Sequence, residues 1–175
     1  MLKLMFVFSA VFFLLTGCES VPKPKPGEEN FTEIFMFNLD SAGKKEIIEV
    51  KKLPHESLVM VRSMDNKPIG EFRAPGVFKK IEFVEMNMDG NKQIVLYYKT
   101  GDLNNLVIYK IKNNDLEKMF LVEGACTIDV DFDTYLSRIK FTKRSSDEVD
   151  CLHAGARESW IWDGERFLKE YPITS

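Results

Sequence analysis

GNKQIVLYYKTGDLNNLVIYKIKNNDLEKMFLVEG, residues 90–124, contains three short apolar runs separated by Gly, Asp and Asn. The runs are QIVLYYKT, LVIYKIK and KMFLVEG, and they are rich in the Ile, Val, Phe and Tyr residues that favour β-strands. Short runs joined by such turn-forming residues are typical of antiparallel hairpins. The stretch therefore predicts three consecutive strands.

The same pattern extends over most of the chain after residue 30. Further runs of this kind are EIIEVKK, SLVMVRS, KKIEFVEM, TIDVDFD, RIKFTKR and SWIWDG. In TIDVDFD, Ile128, Val130 and Phe132 alternate with aspartates, which is the period of a strand with one buried face. No segment after residue 30 has the periodicity of a long amphipathic helix. We therefore expect an all-β domain built mainly from antiparallel hairpins.

The strand pattern also repeats. GKKEIIEV at residues 43–50 resembles GNKQIVLY at residues 90–97, at a spacing of 47. SLVMVRSMDNKPIGEF at residues 57–72 resembles NLVIYKIKNNDLEKMF at residues 105–120, at a spacing of 48. Repeats of this length indicate supersecondary units that stack on one another.

A third, weaker copy follows the first two. DVDFDTYLSRIKF at residues 129–141 begins this copy, and ESWIWDGERFLKEY at residues 158–171 ends it with a hairpin turn at Asp163-Gly164. Between them lies an insertion, TKRSSDEVDCLHAGAR, at residues 142–157. The sequence therefore predicts about three antiparallel units.

The order of an Asp- and Asn-rich turn, a strand and a hairpin resembles the FG-GAP and VCBS-type repeats of β-propellers. The resemblance covers most of residues 31–171 and implies a stack of blade-like sheets. Propellers have four or more blades, so three blades would leave an open edge. Both a propeller-like and a β-sandwich architecture are therefore expected.

The first 17 residues, MLKLMFVFSAVFFLLTG, have one cation followed by an apolar stretch, which is the pattern of a secretory signal peptide. Its apolar core is shorter than the roughly 20 residues that span a bilayer as a helix. An N-terminal anchor helix is the alternative. Leu15-Thr16-Gly17-Cys18 resembles the lipobox of bacterial lipoproteins, which implies that Cys18 is lipidated after cleavage and anchors the protein to the membrane.

These features divide the chain into three parts. Residues 1–17 form the signal peptide, residues 18–30 form a Pro- and Lys-rich tether, and residues 31–175 form a single all-β domain. Alternating Pro and Lys favour an extended polyproline conformation. The resemblance places the protein in the bacterial envelope. Glu19 is not the Asp of the inner-membrane retention signal, so the periplasmic side of the outer membrane is favoured.

The cysteine count fits this location. If Cys18 carries lipid, Cys126 and Cys151 remain, and an exported chain sits in an oxidising compartment. A disulfide between Cys126 and Cys151 is the default expectation. Two buried free thiols and a shared metal ion are the alternatives.

Two acidic segments are candidate Ca²⁺ sites. In EMNMDGNKQI, Glu85, Asn87, Asp89 and Gln93 have a spacing that resembles calcium loops of FG-GAP-type blades. In DVDFD, the candidates are Asp129, Asp131 and Asp133. The alternatives are a turn that needs Asn, Asp and Gly for its dihedral angles, and a solvated strand face.

Function is constrained by what is absent from the sequence. The formal net charge of −3 gives no basic surplus for nucleic acid. No nucleophile elbow, His-Glu-x-x-His or Cys-x-x-Cys motif occurs, so we do not expect an enzyme. Trp160 and Trp162 are expected to pack in the core.

Two functions remain. The first is an envelope binding or scaffold module for a protein or a glycan. The second is an inhibitor or immunity protein that blocks a cell-wall hydrolase, by analogy with small disulfide-bearing envelope lipoproteins. In that case His153 and Arg157 of the insertion are the expected partner-binding residues.

Overall fold

The computed structural model describes residues 31–40, 43–133, 136–144, 151 and 154–171. In these residues it contains eleven β-strands and no helix. The strands are β1 Phe31–Phe37, β2 Glu46–Lys52, β3 Glu56–Ser63, β4 Pro68–Pro75, β5 Val77–Val84, β6 Gln93–Thr100, β7 Leu103–Lys112, β8 Asp115–Asp131, β9 Arg138–Arg144, β10 Ala154–Trp162 and β11 Phe167–Glu170. No described segment forms a helix with the length and apolarity needed to cross a membrane.

All of the strand pairs are antiparallel and join strands that are neighbours in sequence. β1 to β4 form a four-stranded sheet in the order β1-β2-β3-β4. The other seven strands form a second sheet in the order β5 to β11. The hydrogen-bonded ladder is interrupted between β4 and β5 alone.

The second sheet bends at β8, so that the fold has three layers. β7 pairs with residues 115–125 of β8, whereas β9 pairs with residues 125–131. Layer 1 is β1–β4, layer 2 is β5–β7 with the first half of β8, and layer 3 is the second half of β8 with β9–β11. One long strand therefore belongs to two layers.

Layer 2 is the middle layer and is buried on both faces. Ile94 and Leu96 of β6 lie in a core shared with layer 1. Val95, between them in sequence, lies in a second core shared with layer 3. The pattern of this strand, with its first four residues all buried, follows from having a core on each side.

Aromatic pairs mark both interfaces between layers. Phe37 of β1 stacks on Phe83 of β5, with ring centroids 4.1 Å apart. At the other interface, Phe120 lies 4.6 Å from Phe167, measured between ring centroids. Trp160 packs against this second core and Trp162 is 7% exposed within it, so the predicted core location of the Trp pair is confirmed.

The fold-class prediction is confirmed. The domain is all-β and antiparallel, and its layers pack face to face in the manner of a β-sandwich. The propeller alternative is not confirmed. The predicted signal peptide at residues 1–17, the predicted lipidation site Cys18 and the predicted tether up to residue 30 lie outside the described residues.

The spacing of 47 found in the sequence has a structural counterpart. Glu46, at the start of β2, accepts a 2.7 Å hydrogen bond from the Leu39 N–H. Gln93, at the start of β6, accepts a 3.0 Å bond from the Met86 N–H. All four residues are buried. In each layer, a buried side-chain oxygen therefore satisfies a backbone donor of the preceding loop.

The spacing of 48 has a counterpart at the other end of the molecule. Ser57 donates a 3.4 Å hydrogen bond to the Gly76 carbonyl. The buried Asn105 accepts a 2.9 Å bond from the Gly124 N–H. Both glycines have positive φ and lie where the chain leaves one layer for the next. At Gly76, an added Cβ would lie 2.1 Å from the Lys99 carbonyl oxygen, so only glycine fits.

The predicted disulfide is present. Cys126 and Cys151 are bonded, with 25 residues of sequence separation and a Cα–Cα distance of 5.5 Å. Cys126 lies in β8 just after the bend, and Cys151 lies in the connection between β9 and β10. The bond ties the insertion in the third unit to the first strand of that unit.

The buried acid Glu46 provides a test of the repeat. Burial raises the pKa of Glu46; the Leu39 N–H opposes this and the nearby Asp40 adds to it. The ionised carboxylate is therefore less stable in the folded chain than in the unfolded chain. Glu46→Gln keeps the acceptor but loses the charge, so we expect a higher melting temperature at pH 7, measured by circular dichroism. The gain should shrink as the pH falls through the raised pKa and vanish below about 4.3, the ordinary pKa of Glu.

The matched variant is Gln93→Glu, which puts a carboxylate at the equivalent position of layer 2. It should melt at a lower temperature than the parent at pH 7, and the deficit should shrink in acid. Identical melting curves for parent and Glu46→Gln at every pH would contradict the assignment of a destabilising charge.

The disulfide provides a second test. A bond that closes a loop of this size stabilises a domain by about 3 kcal/mol in the chain-entropy estimate. We expect Cys126→Ser, Cys151→Ser and the double variant to lose a similar free energy of unfolding, measured by denaturant titration, because each removes the same bond. Reduction of the parent should reproduce the loss. An unchanged midpoint in all three variants would show that the bond does not hold the third unit.

Candidate functional site

The end of the molecule that carries the disulfide has two hollows, on the two sides of β8. Along this strand Cys126 and Ile128 point to one side, while Thr127 and Asp129 point to the other. Hollow A, on the first side, has a volume of about 490 Å³ and opens between layers 2 and 3. Hollow B, on the outer face of layer 3, has a volume of about 410 Å³. Thr127 lines both.

Two asparagines of β7 fix the backbone under hollow A. Asn104 donates a 2.7 Å hydrogen bond to the carbonyl of Cys126. Asn105, which is buried, holds the Gly124 N–H and lies 3.4 Å from the Tyr98 carbonyl. These amides position the bend of β8, because the register shifts there leave backbone groups without regular ladder partners.

Two of the side chains that line hollow A, Lys80 and Tyr97, contact the carboxylate of Glu82. The Tyr97 hydroxyl donates a 2.8 Å hydrogen bond to Glu82. Lys80 lies 2.8 Å from the same carboxylate and 4.2 Å from the centroid of the Tyr97 ring. Burial on its own raises the pKa of Glu82, but the hydrogen bonds from Lys80 and Tyr97 outweigh it, so the pKa lies below its usual value. Burial and this carboxylate raise the pKa of Tyr97, which therefore stays protonated.

The rim of hollow A carries two more cations. Lys79 of β5 is exposed and Lys99 of β6 is half-buried, and both line the hollow. They come from neighbouring antiparallel strands, since Val77 is the partner of Lys99 in the β5–β6 ladder. The pairing of these strands therefore brings together two lysines that are 20 positions apart in the numbering.

Hollow B contains Arg157, one of the predicted partner-binding residues. Arg157 is exposed at the start of β10 and pairs with Thr142 of β9. Lys140 and Asp129 are cross-strand partners on the same face and line the hollow with it. His153, the other predicted residue, lies outside the described residues.

Positive charge dominates the two hollows. In the described part of the chain, four of the lining cations have no carboxylate within ion-pair distance: Lys79, Lys99, Lys140 and Arg157. Among the residues that the structure describes, Asp129 is the one acid that lines them. This concentration of cations contrasts with the net charge of −3 of the whole chain. The arrangement is suited to binding an anion rather than to acid–base or nucleophilic chemistry.

The predicted calcium loop at residues 85–93 uses its oxygens internally. Glu85 accepts a 3.0 Å hydrogen bond from the Gly90 N–H. Asp89 accepts bonds from both the backbone N–H and the side-chain amide of Asn91, at 2.9 and 2.8 Å. This is the bonding of an Asx-type turn, which needs no ion.

The other two predicted ligands of this loop connect it to the core. Gln93 accepts a hydrogen bond from the Met86 N–H, as described above, and Asn87 accepts a 2.6 Å hydrogen bond from the Trp162 indole. The amide of Asn87 lies 3.4 Å from the Gly164 carbonyl, so the loop is joined to layer 3. The four predicted ligands lie together, but their side-chain oxygens accept hydrogen bonds from the protein itself.

The aspartates of β8 lie on an exposed face. Asp129 and Asp131 stand opposite Lys140 and Arg138 of β9, and Asp133 follows the strand. Within the described residues, no group of three or more His, Cys, Asp or Glu side chains converges as metal ligands would. The Ca²⁺ prediction gains no support from this geometry and stays a prediction.

The cations of the hollows could not be selected from the sequence alone. Lys79, Lys99 and Lys140 belong to ordinary strand patterns, and no motif distinguishes them from the other lysines. Tyr97 and Tyr98 are adjacent on β6 and face opposite sides of this strand. Tyr98 lies in the core with layer 1 and Tyr97 partly lines hollow A.

No protein-family model, curated protein or solved structure matches the chain, so inference about its function rests on the geometry of the two hollows.

Proposed function

We propose that the protein is a lipid-anchored binding module of the bacterial envelope whose two hollows bind an acidic glycan. The observation that carries the proposal is the set of four cations, described above, that have no carboxylate within ion-pair distance among the described residues, in a chain that is acidic overall. Cations are normally balanced by nearby acids on such a surface. Their concentration in two concave sites favours a negatively charged ligand.

The envelope location is supported by two features. Cys18 follows a secretory-type leader and precedes a Pro- and Lys-rich segment suited to a tether. The bond between Cys126 and Cys151 suits an oxidising compartment outside the cytoplasm.

The shape and lining of the hollows favour a glycan among anionic ligands. The sites lie on both sides of one strand and share Thr127, so an extended ligand that crosses β8 can contact both. Thr142 and Gly155 add a hydroxyl and backbone groups to hollow B. Carboxylate or phosphate groups along a sugar chain would pair with the lysines, and its hydroxyls with these neutral groups.

The proposal is tested by charge reversal in each hollow. We expect the parent to bind polygalacturonate, an acidic polysaccharide, and not dextran, a neutral one, by isothermal titration calorimetry. The double variant Lys99→Glu with Lys140→Glu should bind at least about tenfold more weakly, because a charge-assisted hydrogen bond contributes about 1.5–3 kcal/mol. Affinity should also fall as salt is added.

The matched control is Lys67→Glu with Lys118→Glu. Both lysines are exposed and lie outside the hollows, and the double variant changes the net charge by the same amount. It should bind within about twofold of the parent if the hollows are the site, a difference of about 0.4 kcal/mol. Equal weakening in the two double variants would show only a general charge effect and would reject the site.

A second candidate function is inhibition of a cell-wall hydrolase, and one observation favours it. Arg157 is exposed beside Lys140 on the face next to the disulfide-linked insertion. Glycoside hydrolases have two carboxylates in their clefts. An exposed arginine near a segment held by a disulfide is suited to that charge.

For this candidate, we expect the parent to inhibit at least one enzyme of a lysozyme-type panel in a lysis assay. Arg157→Glu should abolish the inhibition without changing the melting temperature, because the side chain is exposed. Lys118→Glu serves as the control and should inhibit normally. Full activity of every enzyme in the presence of the parent would reject the inhibitor function.

A further inference from the structure

The two sheets end in four strands whose outer edges have no strand partner among the described residues. They are β1 and β4 in the first sheet, and β5 and β11 in the second. An open edge presents unpaired backbone groups, and natural proteins usually protect it with proline, lysine, a bulge or shortness. The four edges can therefore be compared by these features.

Three of the edges are protected. β4 begins at Pro68 and ends at Pro75, which lack backbone N–H groups. β5 carries Lys79 and Lys80, and its register shifts next to them. β11 has only four residues, and one of them is Lys169.

β1 lacks the proline, lysine, bulge and short length that protect the other edges, and its one charged residue is Glu33. Its sequence, FTEIFMF, contains no Pro and no Lys, and its seven residues pair with β2 without a register shift. Ile34 and Met36 are 66% and 60% exposed, on the face away from layer 2. Glu33 faces the other way and lies 2.9 Å from Lys52.

The repeat allows β1 to be compared with β5, the strand at the equivalent position in layer 2. At the spacing of 47, Ile34 and Met36 of β1 correspond to Ile81 and Phe83 of β5. In layer 2 those side chains pack against the core under layer 1. In layer 1 the equivalent side chains are exposed, and the strand that carries them has lost the lysines and the bulge of β5.

We propose that β1 is an interaction edge that pairs antiparallel with β1 of a second copy of this chain, about a two-fold axis at Ile34. The two four-stranded sheets would then form one continuous eight-stranded sheet. A two-fold axis is the usual symmetry of a dimer, because the same patch serves both copies.

The sequence of β1 is self-complementary in this register. Ile34 faces Ile34 of the second copy, Met36 faces Thr32, and Glu33 faces Phe35. No like charges stand opposite each other, and the exposed Ile and Met side chains of both copies form one apolar cluster. The absence of positive charge on β1 fits a copy of itself better than an acidic partner.

Cysteine cross-linking in the full chain tests the pairing and its register. We expect Ile34→Cys to give a covalent dimer on mild oxidation, seen on a non-reducing gel, because the axis brings the two sulfurs together. Met36→Cys alone should not cross-link, since residue 36 faces residue 32. A mixture of Met36→Cys and Thr32→Cys chains should cross-link. Glu71→Cys, on the exposed face of β4, is the control for random collision and should remain monomeric.

Analytical ultracentrifugation gives an independent measurement. The parent and Glu71→Lys should sediment as dimers, and Ile34→Lys as a monomer with an unchanged circular dichroism spectrum, since Ile34 is exposed. Three results would each overturn the proposal: a monomeric parent, equal cross-linking of Met36→Cys and Ile34→Cys, or a product that contains a different protein.

Discussion

The double-sided burial of layer 2 is the constraint on which the rest of the structure depends. Alternate residues of β6 enter different cores, so this strand needs a cover on each face. Full burial of a side chain such as Leu or Ile contributes about 1.5–3 kcal/mol. Loss of either neighbouring layer would expose one complete apolar face, and the three layers are therefore expected to be stable only together.

This burial creates a second requirement at the ends of the strands. Loops that enter and leave a doubly covered layer have backbone groups that water cannot reach. The repeated hydrogen bonds at Glu46 and Gln93, and at Ser57 and Asn105, satisfy those groups at opposite ends of the molecule. A charged residue at the first of these positions costs stability, which is why burial raises the pKa of Glu46.

The repeat was predictable because its spacing is fixed by these same bonds. A buried polar residue at the start of a strand and a glycine at the exit of a layer leave a visible signature in the sequence, even where the strands differ. The disulfide was predictable because the chain has three cysteines and the assignment of Cys18 to lipid leaves one pair. The order of the layers was not predictable from the sequence. The hydrogen-bonded ladder breaks at Gly76 but continues through Gly124, and both glycines look alike in the sequence.

The hollows were not predictable for a different reason. Lys79, Lys99, Lys140 and Arg157 come from four strands, and strand register alone brings them together. A shift of one residue would turn each side chain to the opposite face. The calcium prediction, by contrast, used a spacing that is visible in the sequence but has another role in the fold. The spacing of Glu85, Asn87 and Asp89 is real, but the loop uses these oxygens for its own backbone and for Trp162.

The sequential order of the strands also governs how the chain can acquire its structure. Each strand after β1, except β5, pairs with the one that precedes it, so that no long loop must close before a hairpin forms. Low contact order of this kind is associated with faster folding than is usual for all-β proteins. A chain that is synthesised from its N-terminus can add one strand at a time to each growing sheet, and it exposes little unpaired backbone while it does so.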